Sequence, residues 1–294
     1  MKQLIIFTFF VVNQLFAFSN CDYYLQINKA EKFVVEQKLD SAKIIYDLVF
    51  VSYSDPFFKD VYVSVIIDVT LNKYNGLTRE KVVFLFKKGY TFNRFKRNSV
   101  LKTIPENEKD VLKLAYKEYG DALVDVELRT KVNRLYQEDQ KIRGGVYRFL
   151  FSGSLVKKDS LIHEEYVQLT KNNGGYIGEK VIGITGYSLA SSASYILALH
   201  YDTDSTDQIG YYIDIALNEF QIHPLYYAGI KDRRLYQKQR KENFGTSIIW
   251  GREMLIDEKT NEINLSRTRI CLDSLEDHQL KIRNRNGIHL IYMN

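Results

Sequence analysis

Three apolar helical stripes in this chain are each broken by one ionisable residue, and no other feature of the sequence restricts the fold as strongly. Within residues 121–143, Leu128, Val132, Leu135 and Ile142 fall at steps of four, three and seven. The position that this stripe requires between its last two members is Asp139. In YSLASSASYILALHYD, Leu189, Ala193 and Ile196 lead by steps of four and three to His200. After His223 and Pro224, the apolar residues Leu225, Ala228 and Leu235 bracket Asp232. A period of 3.6 residues turns each stripe into the core face of an amphipathic helix. Each acid or imidazole is therefore carried inward, where an unpaired carboxylate costs several kcal/mol or shifts its pKa. Arg143 follows Asp139 by one turn, and Arg233 adjoins Asp232. The three faces are thus expected to meet, bringing Asp139, His200 and Asp232 together with at least one arginine.

Such a cluster has two readings. It could be a structural network that fixes how the helices dock. The sharper alternative is a pocket in which His200 acts as a base oriented by Asp139 or Asp232, with Arg143 or Arg233 holding an anionic group.

The motifs around these residues are Asp139-Gln140-Lys141-Ile142-Arg143, Leu199-His200, Asp232-Arg233 and Phe244-Gly245-Thr246-Ser247. In order and spacing they resemble an uncharacterised helical domain of exported bacterial proteins, commonly found behind tetratricopeptide-like helices. That family carries an Asp-Gln-x-x-Arg element, a histidine commonly preceded by glutamine, an Asp-Arg pair and a Tyr-Gly-Thr-Gln-like tetrad. The resemblance spans about residues 130–249, and Leu199, Phe244 and Ser247 depart from the pattern. It implies that Gln140, Arg143, Arg233, Gly245 and Thr246 belong with the cluster, and it brings no known activity.

The N-terminus, MKQLIIFTFFVVNQLFAFSNC, has the layout of a secretory signal: one lysine, an apolar run over residues 4–12, then Ala17-Phe18-Ser19 as a small-x-small cleavage site. Cleavage after Ser19 is the first expectation, and acylation of Cys21 as a lipoprotein is the second. Without the lipid, Cys21 and Cys271 could form one disulfide in an oxidising compartment. The expected location is periplasmic, extracellular or lipid-anchored to the envelope, and membrane contact arises only if Cys21 is lipidated. With five histidines and neither C-x-x-C nor H-E-x-x-H spacing, the sequence shows no metal signature, and no cofactor is expected.

Residues 22–89 read as helical pairs. Ala30, Phe33, Ala42 and Tyr46 hold the offsets of a tetratricopeptide-like repeat, with Asp40 or Ser41 available as a cap. A second pair is expected over residues 57–73 and 78–88, closed by Gly89, although the β-branched run over residues 61–69 could be a strand. Pro105 opens a further helix with Val111, Leu112, Ala115 and Tyr119 on one stripe. Toward the end of the chain, residues 254–265 read as a β-hairpin, Ser274 as an N-cap, and Ile288, Leu290 and Tyr292 as a terminal strand. His278 reads as part of an exposed helix face.

The basic stretch KDRRLYQKQRKENFGT, residues 231–246, invites a nucleic-acid assignment. Export argues against it, because the net charge of +5 falls to +4 once Lys2 leaves with the leader. Asp232 and Arg233 are instead expected as the buried end of a helix, followed by an exposed connection and a turn at Gly245 that folds back over the network. One competing enzyme reading remains. Gly186-Tyr187-Ser188-Leu189-Ala190 resembles the nucleophile elbow of α/β-hydrolases, with Asp257 and His278 or His289 as partners. That chemistry requires a parallel sheet, and the chain before Val181 reads as helical.

The expected architecture is mainly α: a leader over residues 1–19, tetratricopeptide-like helices over 20–120, a helical domain with a polar core over 121–246, and a small β element over 247–294. The expected function is an exported envelope binding or interaction protein, its partner a protein or a small anionic ligand. The alternative is a hydrolytic enzyme using the His/Asp cluster or a Ser188 nucleophile.

Overall fold

The computed structural model describes residues 20–143, 152–185, 192–202, 208–239, 241–246, 260–284, 288 and 290. Among them are fourteen α-helices and no strand, so the fold is mainly α. No helix of the described residues is long and apolar enough to cross a membrane. The expected leader lies outside the described residues.

Helices α1 (Asn20–Val35), α2 (Leu39–Ser52), α3 (Phe58–Thr70) and α4 (Gly76–Lys87) each pack on the next in chain order. Ala30 and Ala42 are fully buried, which lets α1 and α2 approach closely, and Tyr46 fills the space beside them. The expected cap on α2 is absent: Lys38 occupies the N-cap position, while Asp40 lies inside the first turn and pairs with Lys73. An acid there still complements the helix dipole. The β-branched run over residues 61–69 lies in α3, where every residue except the terminal Thr70 is buried. Tertiary packing on all sides overrides the modest β preference of valine and isoleucine. Asn75 and Thr78 form a capping box that starts α4, and Gly89, at φ 96°, closes it.

Helices α5 (Phe92–Arg97) and α6 (Glu106–Tyr119) continue this layer, and α6 packs on α4. Leu112 of α6 is fully buried, but Val111 and Tyr119 are exposed, so the stripe expected there is narrower than four residues. Tyr116 takes its place by packing edge-on against Phe86 at 5.3 Å.

A second apolar cluster is enclosed by α7 (Val126–Arg143), α8 (Ser152–Asn172), α9 (Glu179–Ile182), α10 (Ala193–Tyr201), α11 (Gln208–Asn218) and α12 (Pro224–Gln239). Helix α7 packs on α8, α9 and α10, while α12 packs on α10 and α11. Helix α12 runs to Gln239, well past the end expected at Arg233.

Helices α13 (Thr260–Arg269) and α14 (Leu275–Arg283) follow. Where a β-hairpin was expected over residues 254–265, residues 260–265 are helical; residues 254–259 lie outside the described set. The buried positions of α13 are Thr260, Ile263 and Arg267, a spacing that one helix face gathers and a strand would split between its two sides. Ile288 and Leu290 are buried in the same core as the front helices but belong to no strand, and Tyr292 lies outside the described residues. Ser274 caps α14 as expected, accepting from the Asp277 amide at 3.1 Å.

The C-terminal helices are fastened to the front of the molecule. Cys21 and Cys271 form a disulfide with Cα atoms 5.4 Å apart, the pairing open to them without a lipid. Lys281 of α14 is buried against Glu31 of α1 at 2.5 Å and Asp273 at 2.8 Å, and it donates to Asn28 at 3.0 Å. Because α14 docks on α1 in this way, His278 is buried and not on an exposed face. Burial holds its imidazole near a pKa of about 3, so it is neutral.

Candidate functional site

Four helices bring polar side chains to one centre. Helix α7 supplies Asp139, Gln140 and Arg143, α10 supplies His200 and Tyr201, α8 supplies Asp159, and α12 supplies Arg233. Asp139 has no exposed surface, and four donors reach its two oxygens. Oδ2 takes bonds from His200 Nδ1 at 2.8 Å and Gln140 Nε2 at 3.0 Å. Oδ1 takes bonds from Arg143 Nε at 2.8 Å and the Tyr201 hydroxyl at 3.0 Å. The outer edge of Arg143 donates to Asp159 at 2.9 Å, which the Tyr201 hydroxyl also approaches at 3.0 Å.

Burial alone would raise the Asp139 pKa, but the bond and charge of His200 and the Arg143 guanidinium overcome it, holding the carboxyl below its ordinary range. An ionised Asp139 is an acceptor only, so Nδ1 of His200 carries a proton and the ring's tautomer is fixed. Among the described residues Nε2 has no hydrogen-bond partner, and the side chain keeps 11% of its surface exposed. The remaining acid–base edge of the imidazole therefore faces outward. Burial, Asp139 and Asp159 together push the Tyr201 phenol far above its ordinary value, so it serves as a neutral donor. His163 stacks on the Tyr201 ring at 5.2 Å with planes 4° apart and holds it in place.

Arg233 is the unsatisfied member. Its Nε is buried and has no hydrogen-bond partner among the described residues. Burial and the neighbouring Arg143 cation pull its pKa below that of an ordinary arginine, with Tyr195 and Asp139 offsetting only part of the effect. One turn earlier, Gly229 leaves room for the Tyr195 hydroxyl, which would lie 2.4 Å from a Cβ at that position.

Asp232 does not join this centre. Its carboxylate gathers the segment that follows α12, accepting from the amides of Asn243 at 2.8 Å, Phe244 at 2.9 Å and Thr246 at 2.9 Å. The Thr246 hydroxyl adds a fourth bond at 2.9 Å. Gly245 supplies the left-handed turn, at φ 64°, that lets these amides converge. Arg267 of α13 closes the arrangement by donating to the Phe244 carbonyl at 2.7 Å and the Asp273 carboxylate at 2.9 Å. Of the residues the sequence grouped together, Asp139, Gln140, Arg143 and His200 meet, with Arg233 electrostatically coupled to them. Asp232, Gly245 and Thr246 form a separate structural clasp. Tyr201 and Asp159 were missed; Tyr201 adjoins His200 in sequence, while Asp159 carries no comparable signal.

The cations of the basic stretch are partly consumed inside the fold. Arg234 pairs with the buried Asp202 at 3.1 Å and Lys231 with Asp214 at 2.8 Å. Ser188, Asp257 and His289 of the hydrolase alternative lie outside the described residues, and no strand is present among the described residues to support an elbow. Among the described residues no group of three metal-ligating side chains occurs. The front helices hold a groove of about 180 Å³ lined by Phe50, Val51, Tyr53, Leu77 and Phe84. At its rim Lys81 is already paired with Asp47 at 2.6 Å and Asp68 at 3.0 Å. No family model, curated protein or solved structure matches the chain.

Proposed function

We propose that the chain is a binding protein for a small oxyanion, held between His200 and Arg233 in a compartment outside the cytoplasm. The observation that carries this reading is the Nε of Arg233, buried and without a hydrogen-bond partner among the described residues, together with the repulsion that the Arg143 cation exerts on it. An oxyanion supplies the acceptor this nitrogen lacks and relieves the repulsion between the two cations. The Cys21–Cys271 disulfide supports an oxidising compartment.

Isothermal titration with inorganic phosphate tests the proposal. The wild-type protein should bind saturably, and Arg233→Gln should weaken binding at least about tenfold, the usual scale for one charge-assisted bond. Its thermal stability should be unchanged or higher, because the substitution removes an uncompensated buried cation. Absence of saturable binding by the wild type, or equal affinity in the variant, would remove the basis for an oxyanion site.

The 2.8 Å bond from Asp139 to His200 favours a second reading, in which the oriented imidazole removes a proton from a water that attacks a bound ester. Here His200→Gln should abolish hydrolysis of a phosphate or carboxylate ester while leaving phosphate affinity within a few-fold. Parallel loss of stability and binding without any wild-type turnover would assign His200 to the binding site alone.

A further inference from the structure

Glu179, outside the His200 centre, joins the two apolar clusters. It opens α9, yet its carboxylate accepts the Phe58 amide of α3 at 2.8 Å. Phe58 is the first residue of α3, and the Phe57 side chain before it provides no cap. The orphan amide at the start of this buried helix is therefore satisfied from a distant part of the chain. Beside the carboxylate lies a cavity of about 20 Å³, lined in part by Tyr176, Tyr195, Gln221, His223 and Tyr226. That is room for a single water molecule.

The charges facing Glu179 leave it without an ion pair among the described residues. Lys180, its neighbour on α9, turns its ammonium over Phe57 at 4.4 Å and Phe220 at 4.6 Å and pairs with Asp55 at 3.3 Å. Lys88, after α4, also pairs with Asp55, at 3.0 Å. From α3, Asp60 adds a negative charge, itself matched by Lys59 at 2.6 Å. From the connection before α12, His223 is neutral, because burial lowers its pKa to about 3. The phenols of Tyr24 and Tyr176 are likewise neutral, both held above their ordinary pKa first by burial.

We propose that Glu179 is a proton-operated latch between the front helices and the helical bundle: protonated, it sits uncharged in a dry junction while still accepting the Phe58 amide, and ionised, it draws water into the junction and loosens it. Burial raises the Glu179 pKa to about 7, against the opposing effects of the Phe58 amide, Lys180 and Lys88. The folded protein thus binds this proton more tightly than the unfolded chain does. The stabilisation is full below the ordinary glutamate range and is lost as pH rises toward 7.

Hydrogen exchange at the Phe58 amide, corrected for intrinsic chemical exchange, reads the latch directly. Between pH 5 and 8.5 its opening constant should rise roughly a hundredfold in the wild type and stay flat in Glu179→Gln. A flat wild-type profile, or the same slope in both proteins, would overturn the proposal. If the variant does not fold, carbon NMR of the wild-type Glu179 carboxyl decides. A midpoint near 7 that coincides with movement of the Phe58 amide supports the latch, and a midpoint in the ordinary glutamate range rejects it.

Discussion

Replacing Asp232 by alanine is expected to cost about 3–5 kcal/mol of folding stability, the range for removing one partner of a buried charged network. The carboxylate is buried and accepts three backbone amides and one hydroxyl. Without it, those amides lie in a closed turn with no acceptor, and each carries its own desolvation cost. The Phe244 carbonyl would also lose its fixed position against Arg267. Urea unfolding measures the effect. A loss below about 1 kcal/mol would show that water replaces the carboxylate and that the clasp contributes little.

The second large effect is expected at Lys281. Lys281→Met removes the cation that Glu31 and Asp273 share, leaving Glu31 to Lys59 and Asp273 to Arg267, a loss of about 3 kcal/mol near neutral pH, the low end for breaking a buried ion pair. The loss should shrink on acidification, with the following sign. Burial opposes ionisation of Asp273, but the Lys281 and Arg267 cations hold its carboxyl far below the ordinary range. Its stabilising contribution is present above the unfolded-state pKa and disappears as pH falls. The variant has already forfeited much of that contribution, so its stability should depend less steeply on pH than that of the wild type. Guanidinium unfolding at pH 3 and pH 7 checks this, and parallel pH profiles for the two proteins would contradict it.

These two positions also show what a sequence can and cannot reveal. Asp139 and His200 were legible because each interrupts a helical stripe, and a residue on such a face must find a partner inside. Asp232 interrupts a stripe in the same way, but the stripe does not say which buried partner waits. Adjacent residues on a helix point about 100° apart, so Asp232 and Arg233 serve different centres. Lys281, Arg267 and His278 gave no signal, because charged and polar side chains on short helices are ordinarily exposed. Their burial follows from the docking of α14 on α1 and the packing of α13 on α14, contacts that local periodicity does not encode. The same docking selects helix over hairpin for residues 260–265, where only the burial of Thr260, Ile263 and Arg267 on one side decides the matter. In α3, valine and isoleucine favoured a strand locally, and burial around the whole helix outweighed them.

Nitrogen NMR of the His200 imidazole tests the shared oxyanion centre most directly. With Asp139 fixing the ring, Nδ1 should carry the proton that bonds Asp139, and the Nε2 resonance should move saturably on addition of inorganic phosphate. Tautomers in free exchange, together with an Nε2 resonance that phosphate leaves unmoved, would contradict an oriented His200 facing an anion site.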